Sequence, residues 1–145
     1  MSGHVAQFFL DSESWLAALA AIHAALTPDG HLVFESRNPL APPFAGWPTV
    51  ASHARLTDPI AGELDWWSSD LEKVGDILRY EIHYLFRETN TELVSRNELI
   101  FRSREDIVGT LSEARFSIVD IYGDWDGSPA DDSSPEMIFV AKLKT

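Results

Sequence analysis

At 145 residues the chain is the size of one ordinary domain. It has no cysteine, which excludes disulfides, thiolate zinc sites and cysteine nucleophiles together. A formal net charge of −12, with eleven scattered Lys and Arg, would repel a phosphate backbone, so no nucleic-acid partner is expected. No apolar run approaches the ~20 residues that span a bilayer, and no basic segment precedes an apolar one at the start. A membrane partner is therefore not expected, and the expected compartment is the cytoplasm.

The first residues, Val5–Leu10, are already apolar, which points to a neighbouring segment on the N-terminal side or to a short buried start. Asp11 or Ser12 suits a helix N-cap, because either oxygen accepts a first-turn N–H. Trp15, Leu19, Ile22 and Leu26 then recur on one helical face, and Pro28-Asp29-Gly30 ends the helix in a turn. His31–Ser36 reads as a short buried strand. Past the proline-rich loop that begins at Pro39, Val50–Leu56 and Glu63–Ser69 read as modest strands. Ile77–Arg87 is stronger, because Tyr80, Ile82, Tyr84 and Phe86 alternate with polar residues as a half-buried antiparallel strand does. Leu93–Arg102 is its hairpin partner. Ser103 to Asp106 resembles a capping box, and Ile107, Leu111 and Ala114 mark one face of a second helix. Phe116–Tyr122 and Met137–Leu143 are two further strands, separated by the acidic loop 123–134. The economical packing is a single α/β domain over 1–145: one mixed sheet with helices on its faces, and an antiparallel β insert at 47–102.

Three blocks carry a family likeness. They are Leu26-Thr27-Pro28-Asp29-Gly30 running through Phe34-Glu35-Ser36-Arg37-Asn38-Pro39, then Gly123-Asp124-Trp125-Asp126-Gly127-Ser128-Pro129 with Ser134-Pro135-Glu136-Met137-Ile138, and the opening Gly3-His4-Val5-Ala6-Gln7-Phe8-Phe9. In this order they resemble the C-terminal half of class I S-adenosylmethionine-dependent methyltransferases. The resemblance implies a Rossmann-like sheet in which His31–Ser36, Phe116–Tyr122 and Met137–Leu143 are strands five, six and seven. It also implies that the seventh strand runs antiparallel between the other two.

It further implies S-adenosylmethionine as cofactor, with His4 and Gln7 at its methionine end, His4 being otherwise a surface residue. Arg37, Asn38, Trp47, Asp124, Trp125 and Asp126 are implied as the acceptor pocket. Arg37 and Asn38 also have a physical claim, since ligands bind beyond the carboxyl ends of strands in open α/β sheets. Otherwise Arg37 pairs with a carboxylate and Asn38 forms an Asx turn. Asp124 and Asp126 begin like a calcium loop but lack the ligand at its twelfth place, so no metal is expected. The five histidines have no metal spacing, and His83 sits on the polar side of its strand, where solvation is expected. Trp66 and Trp67, adjacent in a strand, must face opposite ways, as a subunit interface or acceptor pocket would allow.

Two departures qualify the likeness. The family's acidic residue and Gly-x-Gly loop are absent, as are strands one to four. Where the family has Glu-Ala-Gly-Phe, this chain has Glu113-Ala114-Arg115-Phe116. The expectation is therefore a methyltransferase truncated to its acceptor half, not active as an isolated chain, with a small-molecule or protein acceptor. The open edge at strand five is expected to be covered by the insert, by a second copy in a homodimer, or by a separate N-terminal half. The alternative is a non-catalytic binding or dimerisation module. There is no Gly-x-Ser-x-Gly elbow and no phosphate loop, so no motif supports hydrolase chemistry.

Overall fold

The computed structural model describes residues 1–41 and 53–144. Trp47 and the start of the expected strand Val50–Leu56 lie outside the described residues. In chain order the elements are a 3₁₀ turn (Val5–Phe8), α1 (Ser12–Ala25), β1 (His31–Arg37), β2 (Ala54–Asp58), β3 (Gly62–Val74), β4 (Ile77–Phe86), β5 (Thr91–Ile100), α2 (Arg104–Glu113), β6 (Phe116–Tyr122) and β7 (Glu136–Leu143). The chain divides into two units, Met1–Pro43 with Ile100–Thr145, and Phe44–Leu99. No helix is long and apolar enough to cross a membrane among the described residues.

The first unit is an α/β layer built on a three-stranded sheet of order β1-β7-β6. β7 is antiparallel to both neighbours, so the last strand of the chain lies between the other two, as the resemblance implies. β1 and β7 each begin or end one residue beyond expectation. That single residue makes Arg37 and Glu136 cross-strand partners. Among the described residues the only strand β1 pairs with is β7; on its other edge the Met1 amine donates to Val33 O and Arg37 N donates to Gln7 Oε1.

Alternation puts Leu32 and Phe34 on one face of β1, opposite Ala141 and Phe139 of β7. Trp15 and Leu19 of α1 and Ile107 and Leu111 of α2 complete the same core. Phe34 stacks on Phe139 at 5.2 Å, and Trp15 meets Phe34 edge-on at 5.4 Å. Burying such a ring set is worth several kcal/mol, roughly 3–5 for each large aromatic removed.

Both helices begin where their side chains dictate. Asp11 accepts from Ser14 N at 2.7 Å, and that bond holds its carboxyl below the ordinary carboxylate range. The Ser103 hydroxyl accepts from Asp106 N at 3.0 Å and donates to the Asp106 carboxylate at 2.7 Å. Aspartate is too short to return to the cap N–H as Glu does in a full capping box, and meets the hydroxyl instead. α2 ends with Arg115 in the left-handed region, φ 62°.

The second unit is a four-stranded antiparallel meander, β2-β3-β4-β5. β3 runs further than Glu63–Ser69. Its register with β4 slips between Ser69 and Glu72, so residues 70 and 71 face one β4 residue. A β-bulge absorbs the extra residue and lets the strand continue, which simple alternation does not reveal. Gly75 (φ 60°) then begins a two-residue turn of the Gly-first type. Trp66 pairs with Tyr84 on one face and Trp67 with His83 on the other, and both indoles are half-buried.

Candidate functional site

The carboxyl end of β1 carries a cluster of polar side chains. Phe34 and Ser36 point into the core, so Glu35 and Arg37 must point to the opposite face. Glu35 is nevertheless buried, with 3% of its surface exposed, and Arg37 stands directly across from Glu136. His4 lies over this face with its backbone in the left-handed region, φ 57°. That conformation is uncommon for a residue with a side chain, and strain of this kind concentrates at functional sites.

Two hydrogen bonds fix the histidine. Its backbone N–H donates to Glu35 Oε1 at 2.7 Å, and its ring Nε2 lies 2.9 Å from Glu136 Oε1. A carboxylate only accepts, so Nε2 carries a proton, and the neutral form of the ring has its lone pair on Nδ1. Nδ1 has no partner among the described residues. The remaining oxygens, Glu35 Oε2 and Glu136 Oε2, are buried and also lack a partner among those residues. Buried polar atoms are nearly always satisfied, so these two orphan oxygens beside His4 mark the cluster as a candidate site.

Gln7 is buried beside this cluster. Its carbonyl accepts from Arg37 Nη1 at 3.1 Å, and its amide donates to Ile100 O at 3.1 Å. It therefore positions Arg37. Asn38 is buried as well and works on the loop: its amide donates to Asp131 O, Asp132 O and Ser134 O at 3.0–3.2 Å, while its carbonyl accepts from Leu40 N. Asn38 thus makes the Asx bond before the following chain and also pins the loop leading to Glu136. It borders a cleft of about 140 Å³ with Arg104 and Asp131.

Asp124, Trp125 and Asp126 lie in the same acidic loop. Asp124 accepts from Trp125 N and Asp126 from Ser128 N, and the Trp125 ring is mostly exposed. The Ser128 bonds hold the Asp126 carboxyl below the ordinary range. The structure therefore brings His4, Gln7 and Arg37 into one cluster, attaches Asn38 through the loop, and gives Asp124 and Asp126 hydrogen bonds within that loop. Trp47 lies outside the described residues.

Glu35, Glu136 and Arg102 are the site residues that sequence reasoning missed. Glu35 offered a signal: a carboxylate inside an otherwise apolar strand. Arg102 reaches the carbonyls of Ala6, Phe9 and Asp11 and lies 5.6 Å over the Trp15 ring. Burial pushes its guanidinium below the ordinary value, partly offset by Asp11 and Asp106. It holds the segment that carries His4 and Gln7.

Two free carboxylate oxygens and a ring lone pair suit a group bearing N–H protons or positive charge. The Gln7 amide is engaged at both ends, and no Gly-x-Gly occurs in the sequence.

No protein-family model and no curated protein matches the chain. Solved structures do. A S-adenosylmethionine-dependent methyltransferase from Clostridium acetobutylicum ATCC 824 superposes with a TM-score of 0.79 at 14% identity, over 99% of this chain and 56% of that one. The CcbJ methyltransferase from Streptomyces caelestis gives 0.71 at 14% identity, over 99% and 55%. The sugar N-methyltransferase KedS8 from Streptoalloteichus sp ATCC 53650 gives 0.70 at 18% identity, over 97% and 53%. The chain therefore has the fold of these methyltransferases across nearly all of its own length, and spans about half of theirs.

Proposed function

We propose that this chain supplies the acceptor-binding half of an S-adenosylmethionine-dependent methyltransferase that acts on an amine. The observation that carries the reading is His4, held between Glu35 and Glu136 with Nδ1 and two buried carboxylate oxygens free. Methyl transfer from a sulfonium needs the acceptor nitrogen aligned, its lone pair bare and water excluded. Here the free oxygens receive the N–H groups of the acceptor, and His4 Nδ1 takes the proton that the nitrogen must lose. Glu136 stabilises the imidazolium that forms, as the carboxylate of a His–acid pair does. Arg37, steadied by Gln7, lies next to that position and suits an acidic or hydroxyl-rich remainder of the acceptor. KedS8, which shares the fold, is a sugar N-methyltransferase, and an amino sugar is the acceptor class proposed here.

The cofactor grip then comes from elsewhere. The edge of β1 away from β7, which pairs with no strand among the described residues, is the place where a further strand would add, from a second copy or from a separately encoded half. Without the glycine loop, a non-catalytic amine-binding module is the second reading, and it shares the same site.

Paired calorimetric titrations test the proposal. An amino sugar should bind the chain one-to-one, and Glu136→Gln should weaken it about tenfold. S-adenosylhomocysteine should not saturate the chain alone below millimolar concentration. An amino sugar that gives no heat at millimolar concentration would overturn the acceptor assignment.

A further inference from the structure

A second histidine cluster lies wholly within the β2-β3-β4-β5 sheet and is independent of the methyltransferase reading. On one face of that sheet, register places Trp67 across from His83 and Ser69 across from Glu81. The His83 ring stacks flat on Trp67, 4.8 Å between centroids and 6° between planes, and His53 stacks on the same indole at 4.9 Å. The imidazole is thereby held in one orientation, with its side chain 14% exposed.

Its two nitrogens are both engaged. His83 Nδ1 lies 2.6 Å from Glu92 Oε1, and Nε2 lies 2.6 Å from Ser69 Oγ. A carboxylate cannot donate, so Nδ1 carries the ring proton of the neutral imidazole. Nε2 is then the acceptor and the Ser69 hydroxyl the donor. This is the donor order of a nucleophilic serine: hydroxyl to base, base oriented by acid. Three elements of sequence, 69, 83 and 92, meet only through strand register, so no linear motif announces them.

The surroundings add two features. The β3 bulge begins immediately after Ser69, where residues 70 and 71 share one opposite residue. Bulges release main-chain N–H groups from the ladder and occur next to active sites. A concavity of about 430 Å³ opens on the same side of the bulge, lined by Glu72, Arg79, Glu81, Arg96 and Glu98. Glu81 belongs to both places: it lies 3.6 Å from His83 Nε2 and 2.7 Å from Arg96.

We propose that Ser69, His83 and Glu92 form an acyl-accepting centre that reacts with small carboxylic esters. Ser69 Oγ bonds to the ester carbonyl carbon as its proton passes to His83 Nε2. The bond from that carbon to the leaving oxygen then breaks, and the proton is returned to the leaving alcohol. The product is an acyl-Ser69 ester, which water cleaves by the same route in reverse order. Glu92 keeps the imidazole in the Nδ1–H tautomer, and the freed N–H groups of the bulge are the donors available to the carbonyl oxygen.

The test is labelling of the full chain with a fluorophosphonate, which replaces fluoride at phosphorus with Ser69 Oγ and releases hydrogen fluoride. Peptide mass spectrometry should find the adduct at Ser69, forming at least tenfold faster than at the exposed Ser95. Glu92→Gln should slow it about tenfold, and Ser69→Ala should abolish it while leaving the thermal melt unchanged. A Ser69 adduct that forms no faster than the one at Ser95, or that forms equally fast in His83→Asn, would overturn the proposal.

Discussion

The two histidine clusters of this molecule use the same parts in opposite ways. His4 sits between two carboxylates whose second oxygens are buried and unpaired, and its own Nδ1 is free. His83 has both nitrogens engaged and a Trp67 ring against its face. The first cluster leaves two desolvated acceptors unsatisfied. The second is complete, and its hydrogen-bond order concentrates reactivity on one hydroxyl. A histidine beside a carboxylate is thus not one kind of site: what the remaining lone pairs meet decides whether it binds or attacks.

The comparison breaks first where the His4 cluster loses its support. Removing the Phe139 ring (Phe139→Ala) should cost roughly 3–5 kcal/mol in urea denaturation, because β7 then loses the stack that fixes Glu136 opposite Arg37. Asn38→Ala leaves three loop carbonyls without their donor and should cost about 2–4 kcal/mol. If that variant unfolds at the same urea concentration as the parent, the loop is not pinned by Asn38.

Arg102→Lys is a finer cut. A lysine ammonium cannot span the carbonyls of Ala6, Phe9 and Asp11 as a planar fork does. Amide exchange across residues 4–9 should accelerate about tenfold or more, while exchange in the β2–β5 sheet stays unchanged. Uniform acceleration in both units would contradict the local role. The smallest effect expected is a gain. Arg115 holds φ 62°, so Arg115→Gly should stabilise the chain by about 0.5–1 kcal/mol without altering either cluster.

Much of the first unit was legible in the sequence because it rests on local chemistry. The Ser103 cap, a cap at Asp11 or Ser12, the Trp15–Leu19 face and the strand at His31 follow from local pattern. The position of β7 between its neighbours came from resemblance, since no local pattern states which strands pair. Resemblance likewise implied His4 and Gln7 for the cofactor and Arg37 for the acceptor pocket, but not the contacts that join the three. Gln7, expected at the cofactor, bonds Arg37 and Ile100, and the orphan oxygens of Glu35 and Glu136 exist only once β1 and β7 are in register. In the second unit, alternation revealed the strands and the opposed tryptophans. It could not reveal the bulge after Ser69. His83, expected to be solvated, is held by Ser69, Glu92 and Trp67, because partners 14 and 9 residues away arrive through pairing rather than spacing.

The central claim, that His4 offers a free Nδ1 to an amine, is tested most directly by ¹H–¹⁵N correlation of its imidazole. In the free chain the ring should be the Nε2–H tautomer, and adding an amino sugar should shift Nδ1 far more than Nε2, with both changes absent in Glu136→Gln. A proton found on Nδ1 in the free chain, or a ring that does not respond to the amine, would contradict the account.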